Sequence, residues 1–207
     1  MTKFILSLAI LISSYLTAQN SYNDKMQMAL QNYNSGNLDE AITLFDEVSK
    51  ENSDNWLPFY YISYLNTSKA FVEKDAKTVE VLLKKAQNAQ DVCNELQPDN
   101  AEVMVAQALL HTAKIKSNPM VYGQMLYKDV LYIYDKAMQK DKNNPRVVLC
   151  KAEFEIGLAD YMGGNKQPMY DAIKNSIELF ANFKPETPFH PNWGLEQAKQ
   201  TLENYNN

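Results

Sequence analysis

The chain has 207 residues, 45% of them hydrophobic and 22% charged, with a formal net charge of −5. That is enough for one domain with a real core, and the composition is ordinary for a globular protein. A mildly acidic chain with scattered lysines lacks the concentrated basic footprint that nucleic-acid or anionic-membrane surfaces need. No nucleic acid is therefore expected among its partners. Six glycines, with eight prolines crowded toward the C-terminal half, favour helices over a turn-rich sandwich.

Residues 1–18 read as a signal peptide rather than as fold. Lys3 gives a short positive start, Phe4 to Leu16 is apolar, and Thr17-Ala18-Gln19 offers a small residue before a polar switch. The apolar run of about 13 residues is shorter than the ~20 a spanning helix needs. Cleavage is expected after Ala18. An uncleaved anchor is the alternative, because Leu16 is larger than the residue usual at its place. With no cysteine at the cut, a cysteine-type lipoprotein is excluded. The expected location is the periplasm or the cell exterior, with no membrane span after cleavage, and loss of Lys3 takes the charge from −5 to −6. Export permits a disulfide between Cys93 and Cys150, but both lie in apolar helical patterns, so two buried thiols are expected.

From Ser21 to Ser35, Met26, Ala29, Leu30 and Tyr33 recur at helical spacing. Gly36 supplies a residue free to take φ > 0 after that helix, and Asp39 and Glu40 place negative charge at the start of the next. Leu38 to Lys50 follows, with Ala41, Ile42, Phe45 and Val48 on its apolar face. Asn55 caps a third helix, Trp56 to about Phe71, whose Trp56, Phe59, Tyr60, Tyr61 and Tyr64 go most of the way round. It is the expected centre of the core. Further helices are expected over Thr78–Leu96, Ala101–Lys116, Tyr122–Gln139, Pro145–Ala159 and Pro168–Phe183. Pro185, Pro188 and Pro191 then force an extended segment, and Asn192 is placed to cap a last helix bearing Leu195, Ala198, Leu202 and Tyr205. No segment alternates, so no sheet is expected.

Two ladders of spacing organise these helices. Ala29, Ser63, Ala108 and Ala152 are separated by 34, 45 and 44 residues, and Ala41, Ala86, Val130 and Ile173 by 45, 44 and 43. The last register is open by one, with Ala172 the alternative. The unit resembles the tetratricopeptide repeat, a helix–turn–helix of 34 residues with small and large residues at fixed offsets. Residues 21–55 match best through Gly36, Asp39-Glu40-Ala41 and Phe45. Units 56–100, 101–144 and 145–185 are degenerate. The resemblance implies an all-α fold: a tetratricopeptide-like α-α superhelix, a right-handed solenoid of about four helix pairs, with the proline-rich segment and a capping helix over 186–207. The chain is also similar to short exported repeat proteins of Gram-negative bacteria that end in a proline-rich segment followed by Asn192-Trp193-Gly194. That similarity implies no activity.

One departure from the repeat stands out. Ala29 and Ala41 lie 12 residues apart, whereas the later pairs lie 23, 22 and 21 apart. About ten extra residues per unit fall at one place, where equivalent insertions stack on a single edge. Pro119, Met120, Tyr122, Tyr161, Met162, Gly163 and Gly164 are the candidate residues of this edge. The alternative is that the extra residues only lengthen the helices.

Nothing in the sequence assembles catalytic machinery. His111 falls where the repeat places a large aromatic, His190 has no second ligand at metal spacing, and no Gly-x-Ser-x-Gly occurs. Gly163-Gly164 reads as a turn. No enzyme activity, cofactor or metal is expected. The first helix of each repeat pair lines the concave groove in this repeat class, which here gives Met26, Leu30, Tyr33, Leu57, Tyr60, Tyr64, Val105 and Leu109. Exposed, such a face suits an apolar peptide segment. The expected function is a non-enzymatic scaffold binding an unidentified protein or peptide. The alternative is a structural subunit whose groove is filled by its own segment Lys184–Pro191, with partners on the widened edge.

Overall fold

A computed structural model of the chain describes residues 21–206; the signal-like segment lies outside them. Among the described residues the fold is all-α, with helices α1 (21–34), α2 (Leu38–Glu51), α3 (Trp56–Val72), α4 (Ala76–Leu96), α5 (Ala101–Ser117), α6 (Pro119–Lys140), α7 (Pro145–Met162), α8 (Gln167–Asn182) and α9 (Leu195–Asn206). The first helices of the pairs stack in order, α3 on α5 and α5 on α7. Each second helix packs against its own first helix and, for α2, α4 and α6, against the first helix of the next unit. This is a tetratricopeptide-like superhelix closed by α9, which packs on α8.

The small-residue ladders are where the helices touch. Ala29, Ser63, Ala108 and Ala152 are buried, as are Ala41, Ala86, Val130 and Ile173. Ile173 rather than Ala172 occupies the core, which settles the fourth register. Gly36 has φ +80° and ends α1. Phe45 of α2 is fully buried and stacks on Tyr61 of α3, ring centroids 4.6 Å apart and nearly parallel.

A third ladder starts the first helices. The side chains of Asn55, Asn100 and Asn144 each accept a hydrogen bond from the backbone N–H two residues on, at Leu57, Glu102 and Arg146. Each satisfies an amide that a helix start leaves unpaired. The helix starts differ from expectation for the same reason. Asp75 caps α4 and Asn118 caps α6, with Pro119 in the first turn, so α4 begins at Ala76 and α6 at Pro119. Asn192 does not cap α9, which begins at Leu195 after Gly194.

The widened turns are not inserted loops. Only residues 73–75, Asn118 and residues 163–166 separate the helices of the later pairs, against 35–37 in the first. The extra residues sit in longer helices: α4 has 21 residues and α6 has 22, against 14 in α2. Of the two readings the sequence offered for these residues, the structure has the lengthened helices. The lengthened helices overhang at one edge, the C-terminal ends of α3, α5 and α7.

Both cysteines are buried free thiols. They belong to separate core clusters, Cys93 with the aromatic core of α1–α3 and Cys150 with the α5–α7 core. Burial pushes the Cys93 thiol up to about 12.

Candidate functional site: the inner face and the overhanging edge

The start of α3 presents rings on two sides because Trp56, Phe59, Tyr60, Tyr61 and Tyr64 cannot share a single helical stripe. Tyr61 turns to α2 and stacks on Phe45. Trp56, Tyr60 and Tyr64 turn to the inner face, with the Tyr60 and Tyr64 rings parallel at 6.1 Å.

That face is covered by the chain itself. After α8, residues 183–194 run back across the starts of α7, α5, α3 and α1. Phe189 packs edge-on to Tyr22, ring centroids 5.7 Å apart, and its carbonyl accepts a hydrogen bond from the Tyr61 hydroxyl at 3.0 Å. His190 packs edge-on to Trp56 at 5.4 Å. Trp193 stacks on Tyr64 at 4.6 Å and donates its Nε1–H to the Tyr60 hydroxyl at 2.9 Å. Each such aromatic pair contributes about 0.5–1.5 kcal/mol beyond the burial of its area. The three prolines keep this strap non-helical, but it is not extended throughout as expected: the His190 N–H donates to the Thr187 carbonyl at 3.1 Å, closing a turn over 187–190.

A buried ion pair fastens the strap. Glu102 and Arg146 occupy equivalent second positions of α5 and α7, and their side chains are 4% and 0% exposed. Arg146 donates through Nε to both Glu102 oxygens, at 2.9 and 2.8 Å, and through a terminal nitrogen at 2.6 Å. The Asn144 amide donates to the same carboxylate at 2.7 Å. Another guanidinium nitrogen reaches the Trp193 carbonyl at 3.3 Å, and the guanidinium lies over Phe183, 4.4 Å from the ring centre. Burial pulls the Arg146 pKa down, but the bonds and charge of Glu102 more than offset it, so the guanidinium is held charged. Burial holds the His190 imidazole below the ordinary histidine range, with Glu186 and Glu102 opposing and Arg146 reinforcing that shift. Its Nδ1 is buried without a hydrogen-bond partner.

Of the open and the self-filled groove, both left open by the sequence, the structure has the self-filled one. Met26, Leu57, Tyr60 and Val105 are core residues. Leu30, Tyr33, Tyr64 and Leu109 are half-buried, and Tyr64 lies under Trp193. What remains open is a cavity of about 300 Å³ between the far end of α3 and α9, lined by Phe71, Leu109, Thr112, Tyr134, Phe154 and Glu153 among others. Burial raises the Glu153 pKa, although Thr201 and Gln197 donate hydrogen bonds to its carboxylate.

The opposite ends of the same helices are bare. Val72 at the end of α3 is 78% exposed, Met120 at the start of α6 is 95%, and Tyr161 at the end of α7 is 87%. Val121, Met125 and Met162 are exposed beside them, as are Pro119, Gly163 and Gly164. Tyr122 is half-buried and lines a larger cavity of about 640 Å³, walled by the ends of α3 and α5, most of α4 and the start of α6.

Glu102 and Arg146 are the residues the sequence reading missed, together with the role of Trp193. A signal was there. Leu57, Glu102 and Arg146 follow one another at 45 and 44 residues, the period of the ladders, so the two charges fall on equivalent positions of neighbouring units.

No family model matches the chain, and no curated protein sequence matches it. Among solved structures, the chain is similar to the HusA haemophore from Porphyromonas gingivalis, with a TM-score of 0.76, 20% identity, and coverage of 87% of this chain and 90% of that one. It is also similar to a thermophilic TPR protein of Thermus thermophilus, with a TM-score of 0.62, 13% identity, and coverage of 87% and 82%. Both likenesses are of fold.

Proposed function

We propose that the chain is an exported, non-catalytic binding scaffold that engages its partner through the overhanging edge rather than through the concave face. One observation carries this reading: the strap covers the aromatic face with Phe189, His190 and Trp193, while Val72 and Tyr161 at the far ends of α3 and α7, and Met120 at the start of α6, stand bare. Exposed apolar side chains grouped on one edge mark interaction surfaces in soluble proteins. This keeps the scaffold role expected from the sequence and takes from its structural-subunit alternative the self-filled groove and the partners on the widened edge. A non-catalytic role is supported by the placement of the histidines, His190 packed on Trp56 and His111 with a buried, unpartnered Nδ1. Export rests on the signal-like segment 1–18, and N-terminal sequencing of the protein recovered from the envelope or medium tests it.

Capture from envelope extract tests the edge. The mature chain is compared with Met120→Asp plus Tyr161→Asp and, separately, with Tyr64→Ala. The edge variant loses proteins that the wild type and Tyr64→Ala retain; retention by the edge variant and loss by Tyr64→Ala would return the site to the concave face.

The likeness to a haemophore favours a second reading, carriage of a porphyrin. The larger cavity, at about 640 Å³, falls in the range of about 300–1,000 Å³ typical of small-molecule sites. Titration with haemin, followed in the Soret band, tests it: a saturable one-to-one spectral change supports carriage, and an unchanged spectrum excludes it.

A further inference from the structure

We infer that the larger cavity is a binding site for an amphiphilic carboxylate, a molecule with an apolar body and a carboxylate head. The inference rests on the reading of the overhanging edge as the binding face, and it names the chemistry that face accepts.

The walls divide by character. Phe71 of α3 with Val79 and Leu83 of α4 form an apolar side, and Lys74, Lys84, Lys114 and Lys116 supply ammonium groups. Two carboxylates also line the space, Glu73 and Glu80, so the lining carries four positive and two negative charges in a chain of net −5. Glu73 is turned onto its own backbone, accepting from the N–H groups of Lys74 at 2.6 Å and Asp75 at 2.9 Å.

Lys114 is the placed group. It is half-buried, and its ammonium donates to the Gln87 side-chain oxygen at 2.7 Å. Among the described residues it has no carboxylate within ion-pair distance. Asp91, whose charge it feels from farther off, accepts instead from the Gln87 amide at 2.8 Å. Gln87 is held in turn by Gln107, which receives Asn94, so a chain of amides between α4 and α5 sets where the ammonium sits. Burial lowers the Lys114 pKa, the sign of a charge that an incoming anion would stabilise. Lys116 lies over the Phe71 ring at 5.8 Å, bringing a second ammonium to the apolar wall. A carboxylate head between Lys114 and Lys116 puts its apolar body against Phe71 and Leu83, with Tyr122 closing the α6 side. Phe71 and Tyr122 line the cavity, and their chain neighbours Val72 and Val121 are exposed.

The test titrates the mature chain by calorimetry with dodecanoate and with protoporphyrin IX, using dodecyltrimethylammonium as the cationic control. Saturable one-to-one binding of either carboxylate, with none of the cation, is expected. Dodecanoate alone would identify a chain-type ligand and protoporphyrin alone a ring-type one. Lys114→Met plus Lys116→Met is expected to weaken binding tenfold or more with the circular dichroism unchanged, while Lys140→Met plus Lys199→Met leaves it intact. Equal binding by the two double variants, equal binding of the cation, or no saturable binding of either carboxylate would overturn the site. If the site fails in this way while Met120→Asp plus Tyr161→Asp still abolishes protein capture, the edge stands without a ligand in its cavity.

Discussion

Replacing Arg146 with alanine is expected to be the most damaging single change to the inner face. It removes three hydrogen bonds to Glu102 and one to the Trp193 carbonyl, and leaves a carboxylate that is 4% exposed with only the Asn144 amide for a partner. Breaking a buried pair by deleting one member costs about 3–5 kcal/mol, because the remaining charge stays desolvated. At roughly 2–4 °C per kcal/mol for a chain of this size, the unfolding midpoint should fall by about 6–20 °C. Urea unfolding followed by tryptophan fluorescence measures this directly, since Trp193 sits at the lesion. Removing both charges, as Arg146→Met with Glu102→Leu, should recover most of the loss, because two apolar groups of similar size carry no desolvation debt. A cost below about 1 kcal/mol for Arg146→Ala, or a double variant no better than the sum of its singles, would refute the assignment of this pair as the fastening of the strap.

Four further outcomes follow from the geometry. Gly194 has φ +113°, and a Cβ there would meet Phe180 Cζ at 2.5 Å, so Gly194→Ala should cost about 1–3 kcal/mol and open the strap to proteolysis. Gly36→Ala, also at positive φ but with nothing within 4 Å, should cost about 1 kcal/mol, the backbone term alone. Because burial lowers the His190 pKa, the unfolded chain binds that proton more readily. Its contribution to stability is therefore complete above about pH 6.5 and is lost as the pH falls below it toward the lowered folded value. His190→Asn should flatten the fall of the unfolding midpoint below pH 6.5; since His111 is shifted the same way, His111→Asn separates the two. Cys93 and Cys150 should resist thiol reagents in the folded protein and both react once it is unfolded; a disulfide on mass analysis would contradict their separate burial.

The repeat was legible because it is written in residues that act locally. Small residues at contact points, asparagine caps and Gly36 each work within a few positions of themselves, and their spacing carries the architecture. Val72, Met120 and Tyr161 illustrate partial legibility. The spacing of 21–23 located their edge, but whether ten residues make a loop or three more helical turns depends on capping chemistry at Asp75 and Asn118. The strap was legible as a stretch of prolines and illegible as a lock. Its partners, Tyr60, Tyr64 and Arg146, are set by where a non-helical segment lies in space, and no periodicity encodes that. Arg146 and Glu102 also break the expectation that charges in a helix face solvent; only their shared position in the repeat betrays them.

The strap changes how such a molecule can assemble. A solenoid whose units touch only their neighbours can nucleate anywhere and grow outward, each unit adding its own increment of stability. Here Tyr61 bonds to Phe189 across 128 positions of chain, and Trp193 to Tyr60 across 133. Contacts that distant slow folding, because their loop must close before they return any stabilisation. They also join the first units to the last, so the chain should melt as one body rather than fray from its ends. A chain folding from its N-terminus would leave Trp56, Tyr60 and Tyr64 uncovered until residues 183–194 are in place, so the inner face is the last part of the solenoid to close.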